Sequence, residues 1–144
     1  MDIATHHRQY PLPGAGAGSG SAPHLRTGVL GEDLACRHLV EDDGLTIVAR
    51  NWRLASGELR GELDVVAADE ATGCVVVCEV KARRDAERFG GAVAAVSPRK
   101  RAQVRSLTAA YLRETRLPHR QVRLDVVAVD LGRVATLTHL VAAL

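Results

Sequence analysis

Aromatic side chains are scarce in this chain: one Trp, one Phe and two Tyr stand among 144 residues. Gripping a single nucleic-acid strand by base stacking takes a series of aromatic platforms, so the composition argues against that mode of binding. Lysine is nearly missing too, since Lys81 and Lys100 are the only lysines among the 19 basic residues. A formal net charge of +2 gives no overall basic excess, which neither supports nor excludes a phosphate-bearing partner. No apolar run reaches the roughly 18 residues that a membrane-spanning helix needs, and no signal-like apolar core opens the chain. The expectation is therefore a cytoplasmic protein, in a compartment where thiols stay reduced. Cysteine is limited to Cys36, Cys74 and Cys78. On one strand Cys74 and Cys78 would stand ~13 Å apart at ~3.3 Å per residue, too far to share a zinc ion, and all three read as small buried hydrophobes.

What remains is enough for one domain with one core. Residues 1–24, "MDIATHHRQYPLPGAGAGSGSAPH", are rich in Gly, Ala, Ser and Pro and show no periodicity, which predicts a flexible leader before a domain over 25–144. His6 and His7 read as tail residues rather than a metal site. A helix is expected from Thr27 to Asp42, with Gly44 just past its end. Strands follow over 45–54, 62–68 and 75–82, the last two joined by a turn containing "EATG". A second helix starts at "SPRK", with Ser97 as N-cap and Pro98 in the first helical position, and stops before Pro118. Strands over 122–131 and 135–143 complete the order α-β-β-β-α-β-β. That order predicts an α/β fold, a mixed sheet flanked by helices.

The two central strands carry charges where a core strand should be apolar. Residues two apart on a strand share a face, so Glu62 goes with Asp64 and Glu79 with Lys81. If the loop is the four residues from Glu70 to Gly73, Asp64 lies opposite Glu79 and Glu62 opposite Lys81. Opposed Cβ atoms are then roughly 5 Å apart. Asp64 and Glu79 would hold one hard cation, and Mg²⁺ suits such oxygen ligands while keeping waters and touching phosphate. Lys81 would orient the attacking water and stabilise charge developing on phosphorus oxygens. A solvated polar face is the plain alternative for so short a pattern. Against it stand the apolar strands, the glycine-bearing "GELRGE" just before, and a third carboxylate. At 100° per residue Glu32 falls among Val29, Ala35, Cys36 and Leu39, in the apolar stripe of the first helix. There it needs a partner, unless it serves only the helix dipole.

The blocks "GVLGEDLACRHL", "IVARNWR", "GELDVVAAD", "VVVCEVKAR", "RFGGAV…SPRKR" and "VRLDVVAVD" occur in one order over residues 26–131. Together they resemble the bacterial UPF0102 family. The resemblance implies a restriction-endonuclease-like fold of the PD-(D/E)xK superfamily, similar to archaeal Holliday-junction resolvases. It implies that Asp64 is the first acidic motif position, that Glu79, Val80 and Lys81 form the (D/E)xK motif, and that Glu32 is the resolvase-type helix glutamate. Leu63 stands where that pattern has proline, and Leu124 where the family has phenylalanine. The implied activity is a Mg²⁺-dependent endonuclease on DNA, with Mn²⁺ as a substitute, acting on branched or junction DNA. A resolvase role would further require two sites and so a homodimer.

Basic residues outside the motif extend this reading. Arg83 and Arg84 follow the lysine at the strand end. Arg99, Lys100, Arg101 and Arg105 cluster early in the second helix, where cations oppose the helix dipole and suit a nucleic-acid backbone. Gln103 lies among them. Arg88-Phe89-Gly90-Gly91 is expected to form a substrate loop, Trp52 to sit in the core, and Arg123 to pair with Asp125. The competing function is a non-catalytic nucleic-acid-binding module on the same fold, gripping backbone through Arg99 to Arg105.

Overall fold

Valine, alanine and cysteine dominate the middle of the chain, and side chains that are branched or compact at Cβ suit strands buried on both faces. The computed structural model describes residues 4–12, 23–84 and 96–144. Its elements are β1 (Thr5–Pro11), α1 (Pro23–Glu41), β2 (Thr46–Trp52), β3 (Leu63–Asp69), β4 (Cys74–Arg83), α2 (Pro98–Thr115), β5 (Gln121–Leu131) and β6 (Val134–Leu140). The six strands form one sheet in the order β1-β6-β5-β4-β3-β2. β4 and β5 run parallel, and the other neighbouring pairs run antiparallel.

Alternate residues of β4 face opposite helices. Cys74, Val76 and Cys78 pack with Leu34, Ala35 and Leu39 of α1. Val75 and Val77 pack with Val104, Leu107 and Tyr111 of α2. The sheet is thus covered on both sides, and Trp52 joins the α2 side with its ring edge-on to Tyr111 at 5.2 Å.

Local chemistry fixes the ends. α1 stops where Gly44 takes a left-handed φ of +67°, a conformation that costs glycine little. The Ser97 side chain accepts the Lys100 N–H at 3.1 Å, and Pro98 opens α2. In the β3–β4 turn, Asp69 accepts the Ala71 N–H at 3.0 Å through its side chain, and the ladder closes at Asp69↔Cys74. The turn is therefore the four residues Glu70 to Gly73, as parity required.

The first elements begin earlier than expected, and α1 starts at Pro23 rather than Thr27. Within the leader predicted over 1–24, Thr5–Pro11 is an edge strand paired with β6 from Thr5↔Leu140 to Pro11↔Val134. Its residues are polar and mostly exposed, so no alternating pattern announces it. Main-chain pairing and one anchor hold it: Tyr10 is 1% exposed within the α1-side core. The substrate loop expected at Arg88–Gly91 lies outside the described residues.

Candidate active site

The site arises where two neighbouring strands part. β3 and β4 pair from Asp69↔Cys74 to Val65↔Cys78. Beyond that, β4 continues along β5 as far as Arg83↔Asp130, whereas β3 stays with β2 to Trp52↔Leu63. Backbone donors on the β4 edge lose their partner strand at the split, and Asp64 replaces it. Its Oδ2 accepts the Val80 N–H at 2.8 Å.

Glu79 follows Cys78, where that ladder ends, and its negative charge acts on the Asp64 carboxyl. Burial pushes the Asp64 carboxyl up to about 7, and the negative charges of Glu79 and Glu32 add to this against the opposing Val80 N–H. Such a shift follows when carboxylates share a desolvated site without a cation between them.

Glu79 is only 3% exposed, yet one of its oxygens, Oε1, faces two ammonium groups: Lys81 Nζ at 3.5 Å and Lys100 Nζ at 3.3 Å. Both lysines of the chain therefore meet at one carboxylate. Lys100, grouped by sequence with arginines expected to grip a nucleic-acid backbone, is turned inward, while Arg99, Arg101 and Arg105 around it are exposed. Arg83 is half-buried at the end of β4, and Arg84 donates to Thr27 Oγ1 at 3.0 Å.

The acidic side of the site is wider than expected. Carboxylate oxygens of Glu32, Glu62 and Asp64 all lie within 4.8 Å of one another. The expected opposition of Glu62 to Lys81 does not form, because β3 has already left β4 at that level, and Glu62 pairs with Arg53 at 3.1 Å. Glu32 is also placed differently. Val29 is 57% exposed, so the buried stripe of α1 runs through Leu34, Ala35, His38 and Leu39 and Glu32 lies on its edge. Its cationic partner is Arg50 at 3.5 Å, which also holds Asp33 at 2.9 Å. Glu62 had a visible signal, its place two residues before Asp64, but Arg50 had none.

These donors fit a hard divalent cation. They are all oxygens, and they converge from two elements and a loop. Gln103 buttresses the loop before β3 by donating to the Arg60 carbonyl at 2.7 Å. Beside it, residues 58–60 and the first turns of α2 enclose a cleft of about 470 Å³ whose lining includes Ser97, Arg99, Lys100 and Gln103.

A mixed sheet between two helices, with acidic residues and a lysine at the fork of a hairpin, has the restriction-endonuclease-like α/β architecture. The match to known proteins is more specific. Residues 31–129 match the model of the uncharacterised protein family UPF0102, and the chain belongs to that family. It is 44% identical over 115 residues to a UPF0102 protein of Mycobacterium sp. (strain JLS), covering 78% of this chain and 81% of that one. It is 46% identical over 115 residues to one of Mycolicibacterium gilvum (78% and 89% covered). A UPF0102 protein of Acidothermus cellulolyticus is 46% identical over 123 residues (78% and 86%). Among the described residues no helix is long and apolar enough to cross a membrane.

Proposed function

We propose that this chain is a divalent-metal-dependent nuclease that hydrolyses DNA phosphodiester bonds, with Mg²⁺ as the working ion and Mn²⁺ as a substitute. The observation that carries the reading is the meeting of Asp64, Glu79, Lys81 and Glu32 at the β3–β4 fork, with Asp64 held near 7. Asp64 and Glu79 would hold the cation, with Glu32 and Glu62 beside Asp64. When bound, such an ion polarises a phosphoryl oxygen and makes a bound water more acidic.

The remaining roles belong to the chain. Glu79 fixes the ammonium of Lys81 at the open end of the strand, where it stabilises negative charge developing on phosphate oxygens. Lys100 shares that carboxylate and adds a second positive charge at the same place. Arg99, Arg101 and Arg105 line the approach and hold the nucleic-acid backbone, which positions a duplex without reading its sequence. The branched-DNA preference and the homodimer rest on the superfamily resemblance.

The test is cleavage of labelled linear, flapped and four-way-junction DNA in Mg²⁺, Mn²⁺ or EDTA. Asp64→Asn, Glu79→Gln and Lys81→Ala run beside the wild type, each checked for folding by circular dichroism. The expected result is metal-dependent cleavage lost in all three variants. A wild type that cuts none of these substrates with either metal overturns the proposal. The exposed α2 arginines favour a second reading, a non-catalytic DNA-binding module. Its signature is salt-sensitive binding that Asp64→Asn retains and Arg99→Ala with Arg101→Ala loses.

A further inference from the structure

A second polar cluster lies at the other end of α1, away from the fork. His38, on the buried stripe of α1, and His139 of β6 are 3% and 0% exposed. Their rings are in contact, with His38 Nε2 3.0 Å from His139 Nδ1. Each ring's other nitrogen meets a carboxylate: His38 Nδ1 lies 2.8 Å from Asp42 Oδ2, and His139 Nε2 lies 2.7 Å from Asp125 Oδ2.

Both outer aspartates are held as acceptors. Asp125 is fully buried and accepts from the Arg123 guanidinium at 2.8 Å and from the Ala142 N–H at 2.9 Å. Asp42 accepts from the Arg8 guanidinium and the Tyr10 hydroxyl. Each imidazole therefore commits its N–H outward, to a carboxylate. A neutral imidazole has one donor nitrogen and one acceptor. With both rings neutral, the lone pairs of His38 Nε2 and His139 Nδ1 then face each other.

Two lone pairs at 3.0 Å repel unless something positive stands between or beside them. Beside them is a third donor. Asp43 Oδ2 lies 3.3 Å from His139 Nδ1 and 3.9 Å from His38 Nε2. Around a tetrahedral zinc ion with bonds of ~2.0–2.1 Å, neighbouring ligand atoms are about 3.3–3.4 Å apart. The three separations here bracket that value. Carboxylates on the far nitrogens of both histidines are the outer-shell arrangement that orients metal-bound imidazoles and raises their basicity.

We propose that His38 Nε2, His139 Nδ1 and Asp43 Oδ2 form a zinc-class metal site, distinct from the acidic fork. Two nitrogens and one oxygen select a borderline divalent transition metal over Mg²⁺. Water fills the fourth position from the side of Asp43, which is 24% exposed. The ion clamps the C-terminal end of α1 to β6, residues about a hundred apart in the chain. Through Asp42, which also takes bonds from Arg8 and Tyr10, the clamp reaches β1. Its role is structural, since both rings are shut inside the protein.

The experiment uses the untagged full chain stripped with chelator and titrated with Zn²⁺ against a chromophoric competitor, then with Co²⁺ by visible absorption. The expected result is one zinc per chain, intense tetrahedral cobalt bands and a raised thermal midpoint. Asp43→Asn, at the surface end of the site, lowers affinity by about 10–100-fold or more. His38→Gln, first checked for folding, abolishes the cobalt bands. Asp64→Asn retains the zinc. Absence of zinc binding by the wild type overturns the proposal and leaves a shared proton as the occupant of the gap. Zinc retained at full affinity by Asp43→Asn, or lost in Asp64→Asn instead, places the ion elsewhere and overturns it as well.

Discussion

Replacing Asp64 by Asn should make the protein more stable, and the gain should depend on pH. Asp64 has a folded pKa of about 7 against an ordinary 3.8. A raised carboxyl pKa means that the folded state binds more protons than the unfolded state between those two values. Stability therefore falls as pH rises from about 3.8 to about 7 and levels off above. At ~1.4 kcal/mol per pH unit the full span corresponds to roughly 4 kcal/mol, of which about 2–3 kcal/mol falls between pH 5 and pH 8. Relaxation and water at the open side of the fork reduce this, so about 1–3 kcal/mol is the working expectation. Asn keeps an oxygen for the Val80 N–H and has no charge to desolvate. Urea unfolding of wild type and Asp64→Asn at both pH values gives the difference directly, because groups elsewhere cancel. With a urea slope of ~2 kcal/mol per M, the gap between their midpoints should widen by roughly 0.5–1.5 M from pH 5 to pH 8. A gap that does not widen, or one that narrows, refutes the reading of Asp64 as a desolvated carboxyl crowded by Glu79 and Glu32.

Three further outcomes follow from named contacts. Glu79→Gln leaves Lys81 and Lys100 facing a neutral amide; both ammoniums retain some solvent, so the loss should be about 1–3 kcal/mol in chemical denaturation. Gly31→Ala puts a Cβ 2.4 Å from the Cβ of Ala82. Moving the helix off the strand should cost more than the ~1 kcal/mol that alanine adds to helix propensity, for a net loss of ~1–2 kcal/mol in Tm-derived stability. Tyr10→Ala should cost about 3–5 kcal/mol and raise amide exchange along β6 as well as β1, whereas a flexible leader would leave both unchanged.

Much of this arrangement was legible in the sequence, for identifiable reasons. Ser97-Pro98 and the Asp69–Gly73 turn encode their geometry within four or five residues, so the start of α2 and the β3–β4 register could be read locally. Parity then brought Asp64 to Glu79. What escaped depends on distant partners. β1 is polar and is held by β6, more than a hundred residues away. Arg50 reaches Glu32 only because β2 passes beside α1, and His38 meets His139 across 101 residues. Lys100 shows the same limit in reverse. A lysine among arginines reads as one more surface cation, and only the packing of α2 over β4 turns it inward.

Two close approaches explain why the acidic groups meet at all. Asp64 and Glu79 each follow directly on the last β3–β4 pair, Val65↔Cys78, but Glu32 belongs to α1 and Glu62 to a loop, and each needs its backbone brought in. Gly31 provides the first, because the missing Cβ lets α1 settle against Ala82 on β4, one residue from Glu32. Gly61 provides the second. It adopts φ +94° with Gln103 filling the space a Cβ would occupy, 2.4 Å from the Nε2 atom. That conformation is strained for any residue with a side chain, so the loop turns there and delivers Glu62 next to the start of β3. Gln103 then locks it through the Arg60 carbonyl. Concentrating carboxylates against their own repulsion thus depends on two residues that carry no charge, and the helix that bears Gln103 also brings Lys100 to Glu79. Position along α2 decides both contacts: Lys100 and Gln103 are three residues apart and share one face, so a shift of α2 along the sheet would move the ammonium and the loop buttress together.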